Sequence, residues 1–167
     1  MEDTPRHMST LGTQTLRRLI PALEDVYTHP PLIALLSSVY GTRILPLPED
    51  AVDRFVFNHL HRAGDTHGAH FDDYPISFVF VFEAPHESQG GYVEICPNAA
   101  SVHDIEGPKA QRIVLGEGDA YLLQSDTTAH RVAPITSSAS RTALNFAYTT
   151  ESFTPRMVTQ SAQVLYS

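Results

Sequence analysis

The densest chemistry in this 167-residue chain lies between Gly64 and Tyr74, which reads Gly-Asp-Thr-His-Gly-Ala-His-Phe-Asp-Asp-Tyr. In extended chain, side chains two residues apart share a face, so His70 and Asp72 set an imidazole beside a carboxylate. One further His completes a two-His-one-carboxylate facial triad, the donor set of non-haem Fe(II) sites whose remaining positions stay open. Alone, His-x-Asp in a chain with nine His fits a surface turn better than a metal site.

A second stretch shifts that balance. Residues 118–134 read as a turn, an apolar strand, a short loop and another strand that starts near His130. Arg141 follows eleven residues later and opens a strand that runs to Tyr148. A guanidinium is a permanently charged fork that matches a carboxylate. One hairpin beyond the distal His, it can reach the far carboxylate of a keto acid chelated on the metal.

His70-x-Asp72, His130 and Arg141, in this order, resemble the Fe(II)/2-oxoglutarate-dependent oxygenase superfamily. More narrowly, Gly-Asp-Thr-His-Gly-x-His-x-x-Asp-Tyr at 64–74, Glu83-Ala-Pro85, Gly90-Gly91, Gly118-Asp-Ala-Tyr-Leu122 and Asp126-Thr-Thr-x-His-Arg-Val132 are similar to one branch. That branch holds halogenases and hydroxylases of free amino acids, and the resemblance covers about residues 53–150. It implies iron on His70, Asp72 and His130, and 2-oxoglutarate on Arg141. It further implies O2 as oxidant, with succinate and CO2 released as an unactivated C–H bond of a small amino-acid-like substrate is hydroxylated. Desaturation or cyclisation are alternative outcomes with the same cofactors.

The resemblance also implies four substrate contacts. His67 and Asp73 match positions that line the amino-acid pocket, Asp53 matches an acidic residue that binds an amine, and Arg6 lies where an Arg pairs with a substrate carboxylate. Read from the residues alone, His67 equally well shapes the turn, and Asp53 is a solvated carboxylate at a strand end. A regular strand would put His67 and His70 on opposite faces, so the two can both be metal ligands only with a bulge, which Gly68 permits. The halogenases of the branch replace the metal carboxylate by a small residue that leaves room for chloride. Asp72 fills that place and points to a hydroxylase. Lysine-type members use a C-terminal Trp in substrate binding, and this chain has no Trp.

Two readings from other classes compete. A cupin-type metalloenzyme without a keto acid shares the barrel but has no use for Arg141, and its usual site is richer in His. A non-catalytic jelly-roll binding module needs no aligned triad.

The elements that must position these residues follow from periodicity. Leu16, Leu19, Leu23 and Tyr27 recur at helical spacing, interrupted by Pro21, which predicts a kink or two short helices. Pro31 suits the first turn of the next helix and Gly41 its left-handed end. After the extended connector 45–48 the period becomes two, and strands are expected near 53–61, 67–72, 76–83, 91–95, 111–115, 119–123, 129–133 and 141–149. The fold class expected is mainly β with N-terminal helices: a double-stranded β-helix, or cupin-like jelly roll. A single domain is expected over 1–167, with a helical segment at 1–45, the jelly-roll core at 53–150 and a tail at 151–167 that returns along the barrel edge. The polar excursion at 97–110 has the length of a lid or binding loop. His59, His61, His86 and His103 lack partners at ligand spacing and read as exposed or loop residues, and Asp119 as a turn former.

Composition narrows the rest. Hydrophobic residues at 42% and charged ones at 18% describe an ordinary globular chain with a real core. A net charge of −8 and no Lys/Arg cluster argue against nucleic acid as partner. No run approaches a membrane span, no signal segment opens the chain, and the lone Cys96 precludes an internal disulfide. A cytoplasmic protein with a small-molecule substrate is the expectation.

Overall fold

The computed structural model describes residues 5–136 and 139–153. Eleven strands order themselves as β1 (Arg6–His7), β2 (Ser9–Leu11), β3 (Ile44–Pro46), β4 (Phe55–Leu60), β5 (Thr66–His70), β6 (Ile76–Glu83), β7 (Val93–Cys96), β8 (Gln111–Ile113), β9 (Ala120–Gln124), β10 (Ala129–Val132) and β11 (Arg141–Thr150). They form two antiparallel sheets, β1-β5-β10-β7-β8 and β2-β4-β11-β6-β9, with β3 pairing the far end of β11. This is the expected jelly roll, and among the described residues the two sheets do not close into a barrel. From β4 to β11 the chain changes sheet at nearly every connection, which brings residues far apart in sequence to the facing inner surfaces.

All eight expected strands are present. Three more, β1, β2 and β3, lie where the sequence reads as irregular or as a connector. They are two or three residues long, too short to display an alternating pattern, and form only by pairing with β5, β4 and β11.

Helices α1 (Thr13–Leu19), α2 (Ala22–Tyr27) and α3 (Pro30–Tyr40) cover the outer face of the larger sheet. Pro21 separates α1 from α2 as its missing N–H requires, and Gly41 ends α3 at φ 81°, a conformation costly for any residue with a Cβ. Leu16, Tyr27 and Leu36 from the helices pack on Phe55, Leu144, Phe146 and Tyr148 from the sheet. Tyr27 anchors this layer: its ring stacks on Tyr148 at 4.7 Å, and its hydroxyl donates to the Ala147 carbonyl at 2.7 Å while accepting from the Leu47 amide. A buried phenol needs such partners, because an unmade bond costs about 1–3 kcal/mol.

The strand alternation now sorts by function. Phe78, Phe80, Leu144 and Phe146 face the helices, while Ser77, Val79, Ala143 and Asn145 face the interior between the sheets. The apolar run of β6 therefore has a core face and a cavity face. The tail expectation from 154 onward lies outside the described residues.

Candidate metal centre

His70 ends β5, Asp72 follows it in extended chain, and His130 lies opposite His70 in the β5–β10 ladder. Their donor atoms all lie within 4.8 Å of one another, and among the described residues no other group of His, Cys, Asp and Glu converges in this way. Asp72 Oδ1 stands 3.5 Å from His70 Nε2 and 3.7 Å from His130 Nε2. The other atom of each ligand is engaged. His70 Nδ1 lies 2.7 Å from the Gly68 carbonyl, and His130 Nδ1 lies 3.0 Å from the Thr128 carbonyl. A carbonyl can only accept, so each Nδ1 carries a proton, and Nε2 is the nitrogen each ring turns to the centre. Asp72 Oδ2 accepts a 2.6 Å bond from the Ser77 hydroxyl.

The electrostatics keep the donors in metal-binding form. Burial, and then His70, pushes His130 down to about 4, so its imidazole is neutral at physiological pH. Burial alone would raise Asp72, but His130, His70 and the Ser77 bond together hold it well below the ordinary carboxylate range. Two imidazoles and one carboxylate, with the cavity side open, fit a borderline divalent metal such as Fe(II).

The same cavity is lined by Arg6, His67 and Arg141. Arg141 opens β11, is only 3% exposed, and its Nη2 has no hydrogen-bond partner among the described residues. A buried guanidinium with an unmet donor is suited to an incoming carboxylate. Tyr121 of β9 sits beside it, its phenol pushed up by burial and drawn back in part by the Arg141 charge. Gly91 underlies this corner: at φ 71°, a Cβ there would meet Pro85 Cγ at 2.6 Å and Arg141 Cδ at 3.6 Å. Gly91 therefore packs between Pro85 and the Arg141 stem, while Gly90 packs against the Pro134 backbone.

His67 joins the cavity through a bulge in the β5–β10 ladder. The register pairs His70 with His130 but His67 with Val132, so three steps on β5 oppose two on β10. His67 faces Arg6 across the β1–β5 ladder, and its Nε2 is buried without a partner among the described residues. Asp53 and Asp73 do not line this cavity. They sit near Asp72 instead, and Asp53 is pushed up to about 6 by burial first and then by Asp72 and Asp73.

Other residues take structural roles. Asp119 Oδ2 accepts from the Gly116 amide at 2.7 Å, as a turn former should. Cys96 is buried. His59 departs from the exposed-or-loop expectation: it lies half-buried in β4, where its Nδ1 meets Thr142 Oγ1 at 2.9 Å. The 97–110 excursion holds a short 3-10 helix, Val102–Glu106, that packs on β5, β7 and β10 through buried Val102 and Ile105. Arg131, next to His130, bonds Glu94 of β7 and Glu106 of that helix, so the excursion braces the ligand-bearing sheet. Ser77, Asn145 and Tyr121 were missed in the sequence. Ser77 and Asn145 carry a visible signal, as single polar residues in otherwise apolar strand stretches.

A family model described as Halogenase D matches residues 1–166. The chain belongs to that family. No curated protein matches the sequence. Among solved structures, it is similar to an oxidoreductase of the 2OG-Fe(II) oxygenase family from Burkholderia pseudomallei, with 18% identity, TM-score 0.59, and 77% of this chain and 55% of that chain covered. A prolyl hydroxylase in complex with a hypoxia inducible factor peptide fragment, from Trichoplax adhaerens, aligns at 16% identity and TM-score 0.64 over 100% of this chain and 70% of that one. The non-heme alpha ketoglutarate dependent epimerase SnoN from nogalamycin biosynthesis aligns at 14% and 0.63 over 89% and 66%. The chain spans about half the length of the Burkholderia protein. This Halogenase D family member thus shares the fold of 2OG-Fe(II) oxygenases. Its own residues fit two groups: the His-Asp-His donor set could hold Fe(II), and buried Arg141 could take a carboxylate of 2-oxoglutarate.

Proposed function

We propose that this protein is an Fe(II)/2-oxoglutarate-dependent dioxygenase that hydroxylates an unactivated C–H bond of a small substrate bearing an amino group, a free α-amino acid being the leading candidate. One observation carries the core of this reading: His70, Asp72 and His130 converge on the cavity into which the buried, unsatisfied Arg141 also opens. When bound, iron, 2-oxoglutarate and O2 supply the oxidising chemistry and leave succinate and CO2. The chain's own residues do the rest. The triad would hold the metal on one side, Arg141 would take the distal carboxylate of the keto acid, and Gly91 leaves room beside the Arg141 stem. Val56, Val79 and Val93 line the cavity and restrict water.

Asp72 favours hydroxylation over halogenation in this Halogenase D family member, because its carboxylate occupies the position a halide would need. A keto-acid-independent cupin leaves Arg141 without a role. The epimerase among the structural neighbours shows that this fold supports other outcomes. Hydroxylation rests on the donor set rather than on the fold.

The substrate class rests on polar groups around the centre. Arg6 and His67 line the cavity and suit a carboxylate, while Asp53 and Asp73 lie outside its lining, near Asp72, and would suit an amine that reaches past the centre. No helix among the described residues is long and apolar enough to cross a membrane. The test is a panel of free amino acids, amines and neutral apolar compounds, scored by succinate released together with oxidised product. Asp73→Asn should retain iron and 2-oxoglutarate binding while lowering substrate-stimulated succinate formation. Turnover of neutral apolar compounds alone, with Asp73→Asn behaving as wild type, overturns the substrate assignment.

A further inference from the structure

Ser77 and Asn145 belong to the larger sheet, across the cavity from the strands that carry the metal ligands. Ser77 lies on β6, is 3% exposed, and is the lone hydroxyl of the stretch Ile76-Ser-Phe-Val-Phe-Val-Phe82. Its Oγ donates to Asp72 Oδ2 at 2.6 Å, and Asn145 Nδ2 of β11 approaches the same Oγ at 3.4 Å. The direction of both bonds is set by elementary inventory. An ionised carboxylate only accepts, so the single Ser77 proton must go to Asp72. The Ser77 oxygen is then left with lone pairs alone, and Asn145 must present its NH2 rather than its carbonyl. A carbonyl there would face lone pairs and release the Ser77 proton to a competing acceptor.

We infer that Ser77 is a positioning residue for the iron site, holding Asp72 Oδ2 so that Oδ1 alone meets the metal, and that Asn145 acts through Ser77 by fixing its proton toward Asp72. This rests on the reading of Asp72 as a metal ligand. The arrangement couples the two sheets. The smaller sheet supplies His70, Asp72 and His130, and the larger one dictates which carboxylate oxygen is free. A carboxylate released from Ser77 can rotate and offer both oxygens, which would close a coordination position that the keto acid needs.

The test is Co(II) binding to the metal-free full-length protein, followed by calorimetry and by the Co(II) ligand-field spectrum, with folding checked by circular dichroism and thermal melting. Ser77→Ala should weaken Co(II) by about 10–100-fold and alter the spectrum, the size seen when partners of metal ligands are removed. Ser77→Thr, which restores a hydroxyl, should recover the wild-type spectrum and lie within about threefold of its affinity. Asn145→Ala should weaken binding by a smaller factor, and adding it to Ser77→Ala should cost nothing further, since it acts only through that hydroxyl. Should Ser77→Ala not fold, Asn145→Ala carries the comparison: Co(II) affinity and spectrum identical to wild type in that variant then overturn the inference. Asp72→Ala separates the two levels. If it leaves Co(II) affinity unchanged, the parent reading fails. If it weakens binding while the folded Ser77 variants stay at wild-type affinity and spectrum, only this inference is overturned, as it also is by additive Ser77 and Asn145 effects.

Discussion

His67 and His70, three residues apart on one strand, stack ring on ring at 4.0 Å and face the same cavity. A regular strand forbids this. The extra residue that β5 carries between the His67–Val132 and His70–His130 pairs makes it possible. The bulge separates the two rings: His70 sits in the triad, while His67 lies outside it with no partner for its buried Nε2 among the described residues. His67→Ala should therefore leave Fe(II) affinity within about threefold of wild type, since it removes no donor of the triad. It should raise KM for the substrate proposed above. Iron binding and substrate titrations on one preparation check the split.

Asp72 is the triad's single anionic donor. Asp72→Ala should abolish coupled hydroxylation and weaken Fe(II) strongly, and product analysis alongside oxygen consumption reads both. Asp72→Gly should open space without giving appreciable halogenation, because halide binding also depends on the groups around the ligands. Wild-type hydroxylation by Asp72→Ala without added carboxylate would sink the triad assignment.

Arg141 combines burial with an unmet donor. Arg141→Ala should raise the KM for 2-oxoglutarate far more than it weakens iron, with a loss on the order of 2–5 kcal/mol for the charge pair. Arg141→Lys should recover part of it, because an ammonium cannot reproduce the fork. Steady-state kinetics against the keto acid separate the three proteins.

Asp53 gives a pH signature in the metal-free protein. Its folded pKa is raised to about 6, from an ordinary value of 3.8, so the folded state binds the proton more tightly than the unfolded chain does. No penalty exists below about pH 4, it accumulates between about 4 and 6, and it is complete above that. Asp53→Asn should stabilise the apo-protein by about 1–3 kcal/mol at pH 7.5 and by little at pH 4. Urea unfolding at the two pH values is the check. An equal gain at both would place the effect elsewhere.

Much of this architecture was legible in the chain. Strands of six residues or more, such as β6 and β11, carry enough alternation to be read, and Pro21 and Gly41 act locally, so their effects need no tertiary knowledge. That His70, Asp72, His130 and Arg141 meet at one cavity was legible because the proposed metal and keto-acid chemistry restricts residue type and spacing together. The edge strands β1 and β2 were not, because pairing with β5 and β4 rather than local preference forms them. Ser77 and Asn145 escaped because their role depends on which residue faces them across the cavity. The 97–110 excursion has a loop's composition, and only the bonds from Arg131 to Glu94 and Glu106 reveal a brace rather than a lid.

The central claim is that one cavity holds Fe(II) and 2-oxoglutarate together. Anaerobic titration of the protein with Fe(II), with and without 2-oxoglutarate, tests it through the visible metal-to-ligand charge-transfer band. The account predicts a band that needs both components, disappears in His130→Ala, and in Arg141→Ala requires much more keto acid to reach its full intensity. Tight Fe(II) binding with no such band at saturating 2-oxoglutarate, or a band indifferent to both substitutions, would contradict it.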